Sequence, residues 1–144
     1  QVGSLFFGLA VASYYLASGA LKMLSLLFHF GEIHCEVRLV YGERTCSAAA
    51  VIDTGNHLRD PVSGKAVSII TRHMAEKLMS LEELESLRKI EYHTIGKGRG
   101  MLPVVTIDSL WIEGEEQSYE KPMIAVSDDA SFGTRYDMIL NPDI

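Results

Sequence analysis

The chain has 144 residues, and its 13 Lys and Arg against 19 Asp and Glu give a formal charge of −6, so it carries no basic footprint for nucleic acid or an anionic surface. At 47% hydrophobic and 22% charged it is neither disordered nor collagen-like, and its length suits one core, which excludes a large multidomain enzyme.

Nearly all of the charge follows Gly31, because Lys22 is the only charged residue before it. Apolar residues surround the Gln1 to Leu21 segment on every helical face, and the apolar run with its continuation to Phe30 exceeds the roughly 20 residues a bilayer core requires. This predicts a transmembrane helix within residues 1–30, followed by a soluble domain over residues 31–144. No basic stretch precedes the run and residue 1 is not Met, which reads as a start inside a longer membrane domain rather than a signal peptide. Gly3, Gly8, Ala12 and Gly19 would let another helix approach closely. Lys22 would snorkel toward the cytoplasmic face of the membrane, which puts the soluble domain on that side.

From Ile33 to Tyr41 apolar and polar residues alternate with the period of a half-buried strand. A turn over Gly42 to Arg44 then leads into Thr45 to Ile52, small and then β-branched, as suits a strand crowded on both faces. That turn would set Val40 opposite Cys46 and Cys35 opposite about Val51, leaving both cysteines as free thiols. Asn56 to Lys65 is turn chemistry, followed by a short strand from Ala66 to Ile70. Thr71 would cap a helix to about Met79, and Ser80 with Glu83 forms a capping box for a second helix to about Lys89, with Leu81, Leu84 and Leu87 in one core-facing stripe. Short strand-like runs alternating with Gly-rich turns follow to Gln117, then strands over Pro122 to Val126 and Met138 to Leu140. The soluble part is thus mainly β with a short helical insert, a small Greek-key or barrel-like domain.

The segment that carries chemistry is Ala49 to Asn56, an apolar strand ending in Asp53-Thr54-Gly55. A carboxylate that activates water needs a fixed position in a partly dry cleft, and the end of a buried strand supplies one. Gly55 lets the chain turn tightly and lets its N–H approach the carboxylate, while Thr54 offers a hydroxyl on a stiff side chain. An aspartic peptidase needs two such carboxylates sharing one proton, since close like charges do not both ionise. Asp108 and Asp128-Asp129 lack the following glycine, so either the second Asp comes from a second copy of the chain in a C2 homodimer or the domain is not catalytic.

These residues resemble the retropepsin-like aspartic peptidases, and more closely the sporulation sigma-E factor-processing peptidases. The matching features cover most of the chain: the apolar span leading into a hairpin, AVIDTGNHLRDPVSGKAV, YHTIGKGRGMLPVV and the final MILNPDI. Pepsin-like enzymes usually have Ser or Thr where Asn56 stands, which draws the likeness to the sporulation family. The resemblance implies a retropepsin-like β-barrel domain with Asp53 catalytic, and Thr54, Gly55 and Asn56 supporting it and meeting the partner protomer. It also implies that Ile139 and Leu140 buttress the catalytic loop, with Asn141 in place of the usual glycine. The implied activity is cleavage of a sigma-factor precursor at the membrane, without cofactor or metal, triggered by a signalling protein. A rival reading, favoured by the lone Asp-Thr-Gly and by Asn141, is a membrane domain that binds a peptide or partner in signalling without hydrolysis.

Gly96, Gly98 and Gly100 alternate as in a flap over an extended peptide, with Lys97 and Arg99 placed to attract acidic residues. A phosphate loop does not fit, because no GK[ST] or strand-to-helix context follows. His57 lies close to Asp53 in sequence; His29, His34, His73 and His93 have no metal-ligand spacing. Trp111 reads as packing, and Asp128-Asp129 as a turn.

Overall fold

The computed structural model describes residues 2–29, 33–94, 98–128 and 135–144. The chain divides into two compact units, Gln1–Glu32 and Ile33–Ile144. In the first, helix α1 spans Val2–His29, and its 23-residue stretch Val2–Leu24 is long and apolar enough to cross a membrane. At about 1.5 Å per residue that stretch covers a hydrocarbon core of about 30 Å.

The second unit opens with strands β1 (Ile33–Tyr41) and β2 (Arg44–Ile52), paired antiparallel from Tyr41↔Arg44 to Ile33↔Ile52. The turn is only Gly42-Glu43, with Gly42 at φ +60°, a left-handed conformation that suits a tight hairpin. The register therefore differs by one residue from the sequence expectation: Leu39 faces Cys46 and Cys35 faces Ala50. Both cysteines are free, and burial pushes both thiols up. Their side chains are packing groups rather than nucleophiles.

Strand β3 (Val67–Thr71) runs into helix α2 (Arg72–Leu78), where the Thr71 side chain accepts the Met74 N–H as N-cap. Helix α3 covers only Leu81–Glu85, although its capping box of Ser80 and Glu83 forms in full. The predicted extension to Lys89 fails because Ser86 already caps the helix and Lys89 opens the next strand. Of the predicted stripe, Leu84 is buried and Leu87 packs against the core, but Leu81 is exposed. There follow β4 (Lys89–Thr94), β5 (Gly98–Thr106), β6 (Ser109–Ile112), β7 (Tyr119–Glu120), β8 (Met123–Ser127) and β9 (Met138–Leu140).

The nine strands among the described residues join one sheet in the order β4-β5-β8-β3-β9-β2-β1-β6-β7, the mainly β, retropepsin-like domain that the sequence implies. Strand β9 sits between β2 and β3, parallel to β2 and antiparallel to β3. Two strands joined in sequence by a single loop are thus separated in the sheet by the last strand. The main core gathers Leu39, Ile70, Leu78, Leu110, Ile124 and Leu140, and helix α2 packs on β2 through it. Small residues make that contact close, since Ala48, Ala50 and Ala75 are all buried there. A smaller cluster of Val67, Ile90, Leu102, Val104, Met123 and Ala125 lies under the β4–β5 hairpin.

Candidate active site

Strand β2 ends at Ile52, and Asp53 follows with its backbone N–H donating to the Leu140 carbonyl at 3.3 Å. A β-turn closes over Asp53 to Asn56, where the Asn56 N–H meets the Asp53 carbonyl at 3.0 Å. The Gly55 N–H donates to Asp53 Oδ1 at 2.9 Å, holding the carboxylate in one orientation. No left-handed angle is recorded for Gly55; its requirement is space, since a Cβ there would stand 3.2 Å from Oδ1. Asp53, Thr54 and Gly55 are all exposed, so the turn does not lie in the partly dry cleft expected from the sequence.

The residues around this turn fix it from below. Asn56 is buried: its Nδ2 donates to the Val67 carbonyl at 3.4 Å and its Oδ1 accepts the Leu58 N–H at 3.0 Å. Asn141 is 1% exposed and does more. Its N–H donates to Ser68 Oγ at 3.0 Å, its Nδ2 to the Leu58 carbonyl at 2.9 Å, and its Oδ1 accepts the Asp143 N–H. A glycine at 141 would lack the side-chain bonds. Leu140 is buried and supplies the carbonyl that meets Asp53, while Ile139, paired with Ile69 across the sheet, is half-exposed. Leu140 thus meets Asp53, and Asn141 meets Leu58 in the same loop.

Above the turn lies an open groove of about 590 Å³, lined by Asp53, Gly55, His57, Leu58, Ile69 and Ile139. Its far wall is Glu91, Tyr92 and His93 from β4. Of the glycines expected in a flap, Gly98 and Gly100 lie on β5 of the β4–β5 hairpin. Gly98 has φ +76°, and a Cβ on Gly100 would come within 2.5 Å of the Tyr92 ring, so that ring lies across residue 100. Gly96 and Lys97 lie outside the described residues, and so does Asp129. Arg99 lies 3.6 Å from Glu91 on its own hairpin, and both side chains stay largely in water.

The rest of the loop carries an ion-pair network that sequence reasoning missed. Asp60 is 2% exposed, and its carboxylate accepts from Arg88 Nη1 at 2.8 Å, from Ser63 Oγ at 2.7 Å and from the Ser63 N–H at 3.0 Å. The Arg88 bond above all, then Ser63, holds this carboxyl far below the usual carboxylate range. Arg59 reaches Asp143 at 2.8 Å and the Gly64 carbonyl at 3.0 Å. The Asp60-Pro61 and Ser63-Gly64 turn chemistry was visible in sequence, but Arg88 lies in a region with no signal that it returns to this loop. Tyr92 was likewise unmarked.

The remaining expectations lie away from the groove. His34 stacks on Tyr136 with ring centroids 4.9 Å apart, and Arg38 lies 5.5 Å from the Trp111 ring centre. Among the described residues no group of His, Cys, Asp and Glu is arranged to hold a metal ion.

Comparison with curated proteins and with solved structures gives no match. The family match is continuous over residues 2–144, from the apolar helix through the Asp53 loop to the strand that buttresses it. The chain belongs to peptidase family U4, the sporulation factor SpoIIGA family.

Proposed function

We propose that the protein is a membrane-tethered aspartic endopeptidase that works as a homodimer and cleaves the sigma-E precursor of sporulation. The observation that carries the reading is the exposed Asp53 carboxylate, oriented by the Gly55 N–H at the end of a buried strand and open to a groove. Exposure of Asp53, Thr54 and Gly55 suits a site whose other half comes from a second copy. Thr54 and Gly55 then face the partner, whereas Asn56 supports the loop from within its own protomer.

In the dimer the two Asp53 carboxyls share one proton, because like charges so close do not both ionise. The ionised one takes a proton from water as the water oxygen attacks the peptide carbonyl carbon. The protonated one gives its proton to the carbonyl oxygen, producing a tetrahedral diol. Collapse re-forms the carbonyl and gives one hydroxyl proton to the ionised carboxylate, while the C–N bond breaks and the nitrogen takes the proton that the other carboxyl received from water. One water is consumed, and the dyad again holds one proton. The β4–β5 hairpin covers the extended substrate as a flap.

In this reading helix α1 is the membrane tether, and Lys22, near the end of its apolar stretch Val2–Leu24, favours a peptidase domain on the cytoplasmic side. A signalling protein that promotes pairing of two protomers would switch such an enzyme on.

The test is co-expression of the protein, the precursor and the activator, comparing unaltered protein with Asp53→Asn by precursor size at matched protein level. The substitution keeps the shape and removes the ionisable group. Cleavage is expected to vanish in the variant. Persistent cleavage would move the chain to a binding or signalling class.

A further inference from the structure

We propose that the Arg88–Asp60 ion pair is the brace that sets the β4–β5 hairpin over the Asp53 groove, which makes Arg88 a positioning residue for substrate. The proposal rests on the peptidase reading of that groove.

The hairpin is buried at its root through Ile90, Leu102 and Val104, whereas its outer part has few sheet neighbours. Strand β4 is an edge of the sheet, and β5 pairs with β8 only over Val104 to Thr106, so the part from Gly98 to Pro103 projects past its neighbour. Arg88 stands where the hairpin leaves the sheet: its carbonyl accepts the Val104 N–H at 2.8 Å. From there its side chain crosses to the loop that begins at Asp53 and meets the Asp60 carboxylate at 2.8 Å. One residue is therefore joined by its backbone to the hairpin root and by its guanidinium to the catalytic loop.

The loop end of this brace is rigid. Asp60 accepts from the Val62 and Ser63 N–H groups and from Ser63 Oγ, and its own N–H donates to the Lys65 carbonyl at 2.9 Å. A carboxylate 2% exposed requires a cation, and Arg88 provides it while keeping about half of its own side chain in water. Loss of the pair removes this side-chain link between the hairpin root and the loop, while Asp60 keeps its bonds to Val62 and Ser63. Groove residue Tyr92 stands four residues beyond the root, about 13 Å at about 3.3 Å per residue, so a tilt of about 5° moves that wall by about 1 Å. A shift of that size alters the contacts that Tyr92 and its neighbours offer a bound peptide.

The experiment measures cleavage of purified sigma-E precursor by membranes carrying the intact protein, for unaltered protein, Arg88→Gln, Arg88→Lys, Asp60→Asn and Asp53→Asn. Arg88→Gln and Asp60→Asn are expected to raise KM about fivefold or more while kcat stays within about twofold, with Arg88→Lys recovering part of the loss. A purely structural role would lower the folded, active fraction and so reduce apparent kcat at unchanged KM. Unchanged KM in both Arg88→Gln and Asp60→Asn overturns the brace. Precursor affinity measured in the Asp53→Asn background, with and without Arg88→Gln, keeps the two questions apart. Cleavage that survives Asp53→Asn overturns the peptidase reading, while weaker binding on adding Arg88→Gln still upholds the brace and unchanged binding rejects it.

Discussion

Gly55 and Asn141 are small and polar for different reasons. Gly55 leaves room beside a carboxylate: a methyl group there would press on Asp53 Oδ1 at 3.2 Å and turn it from the Gly55 N–H. Gly55→Ala is therefore expected to reduce precursor cleavage about tenfold or more, with little change in melting temperature, as parallel activity and thermal-unfolding measurements would show. Asn141 instead ties Ser68, Leu58 and Asp143 to the strand end that faces Asp53. Asn141→Ala and Asn141→Gly both remove the side-chain bonds to the Leu58 carbonyl and the Asp143 N–H, and each is expected to cost about 1–3 kcal/mol in denaturant unfolding. The residue that retropepsins favour at this position would thus destabilise this protein. Asp53, Thr54 and Gly55 are legible in the sequence because their chemistry is local. The work of Asn141 is not, because its acceptors lie far away along the chain.

Elements follow local rules where their partners are local. The Ser80–Glu83 capping box forms as written, since both bonds lie within four residues, and Ser80→Ala is expected to lower stability by about 1 kcal/mol without altering cleavage. The β1–β2 hairpin is equally local, yet its register turned on whether two or three residues make the turn. The left-handed Gly42 permits two, and every cross-strand pair moves by one position. In the β4–β5 hairpin the decisive contact is Tyr92 across Gly100. Gly100→Ala would lift that ring from its place along the groove wall, and a rise in KM larger than that for Gly98→Ala is the expected result. Equal effects at the two positions would assign the glycines to backbone freedom alone.

At the scale of the molecule, inserting β9 between β2 and β3 brings the Asp53 loop, the β3 start and Asn141 to one point. A dimer that pools two such points has a measurable signature. With equal amounts of unaltered and Asp53→Asn protein pairing at random, only about a quarter of dimers hold two intact carboxyls, so activity should fall well below half. Half-maximal activity would mean each chain works alone. Stability should also follow pH through Asp60 and Asp108, whose carboxyls are held below their ordinary range by Arg88 and Ser63 and by Lys121 and Gly42. Folded-state values below unfolded ones give stabilisation that is complete above the unfolded value of about 3.9 and is lost as pH falls from there toward the folded values. Thermal scans should therefore show a declining melting temperature below about pH 4, and Asp60→Asn should start lower at neutral pH and decline less.

By itself the sequence determined the apolar helix, the alternating strands, the two helix caps and the aspartate at the end of an apolar run. Each depends on residues within a few positions of one another, through periodicity, capping bonds or turn geometry. Only the tertiary structure decided that β9 enters between β2 and β3, that Asn141 holds the Asp53 loop, and that Arg88 reaches Asp60. Those contacts join residues tens of positions apart. They exist because one sheet must pair its strands and satisfy its buried polar groups at the same time, a condition that no local window of sequence contains.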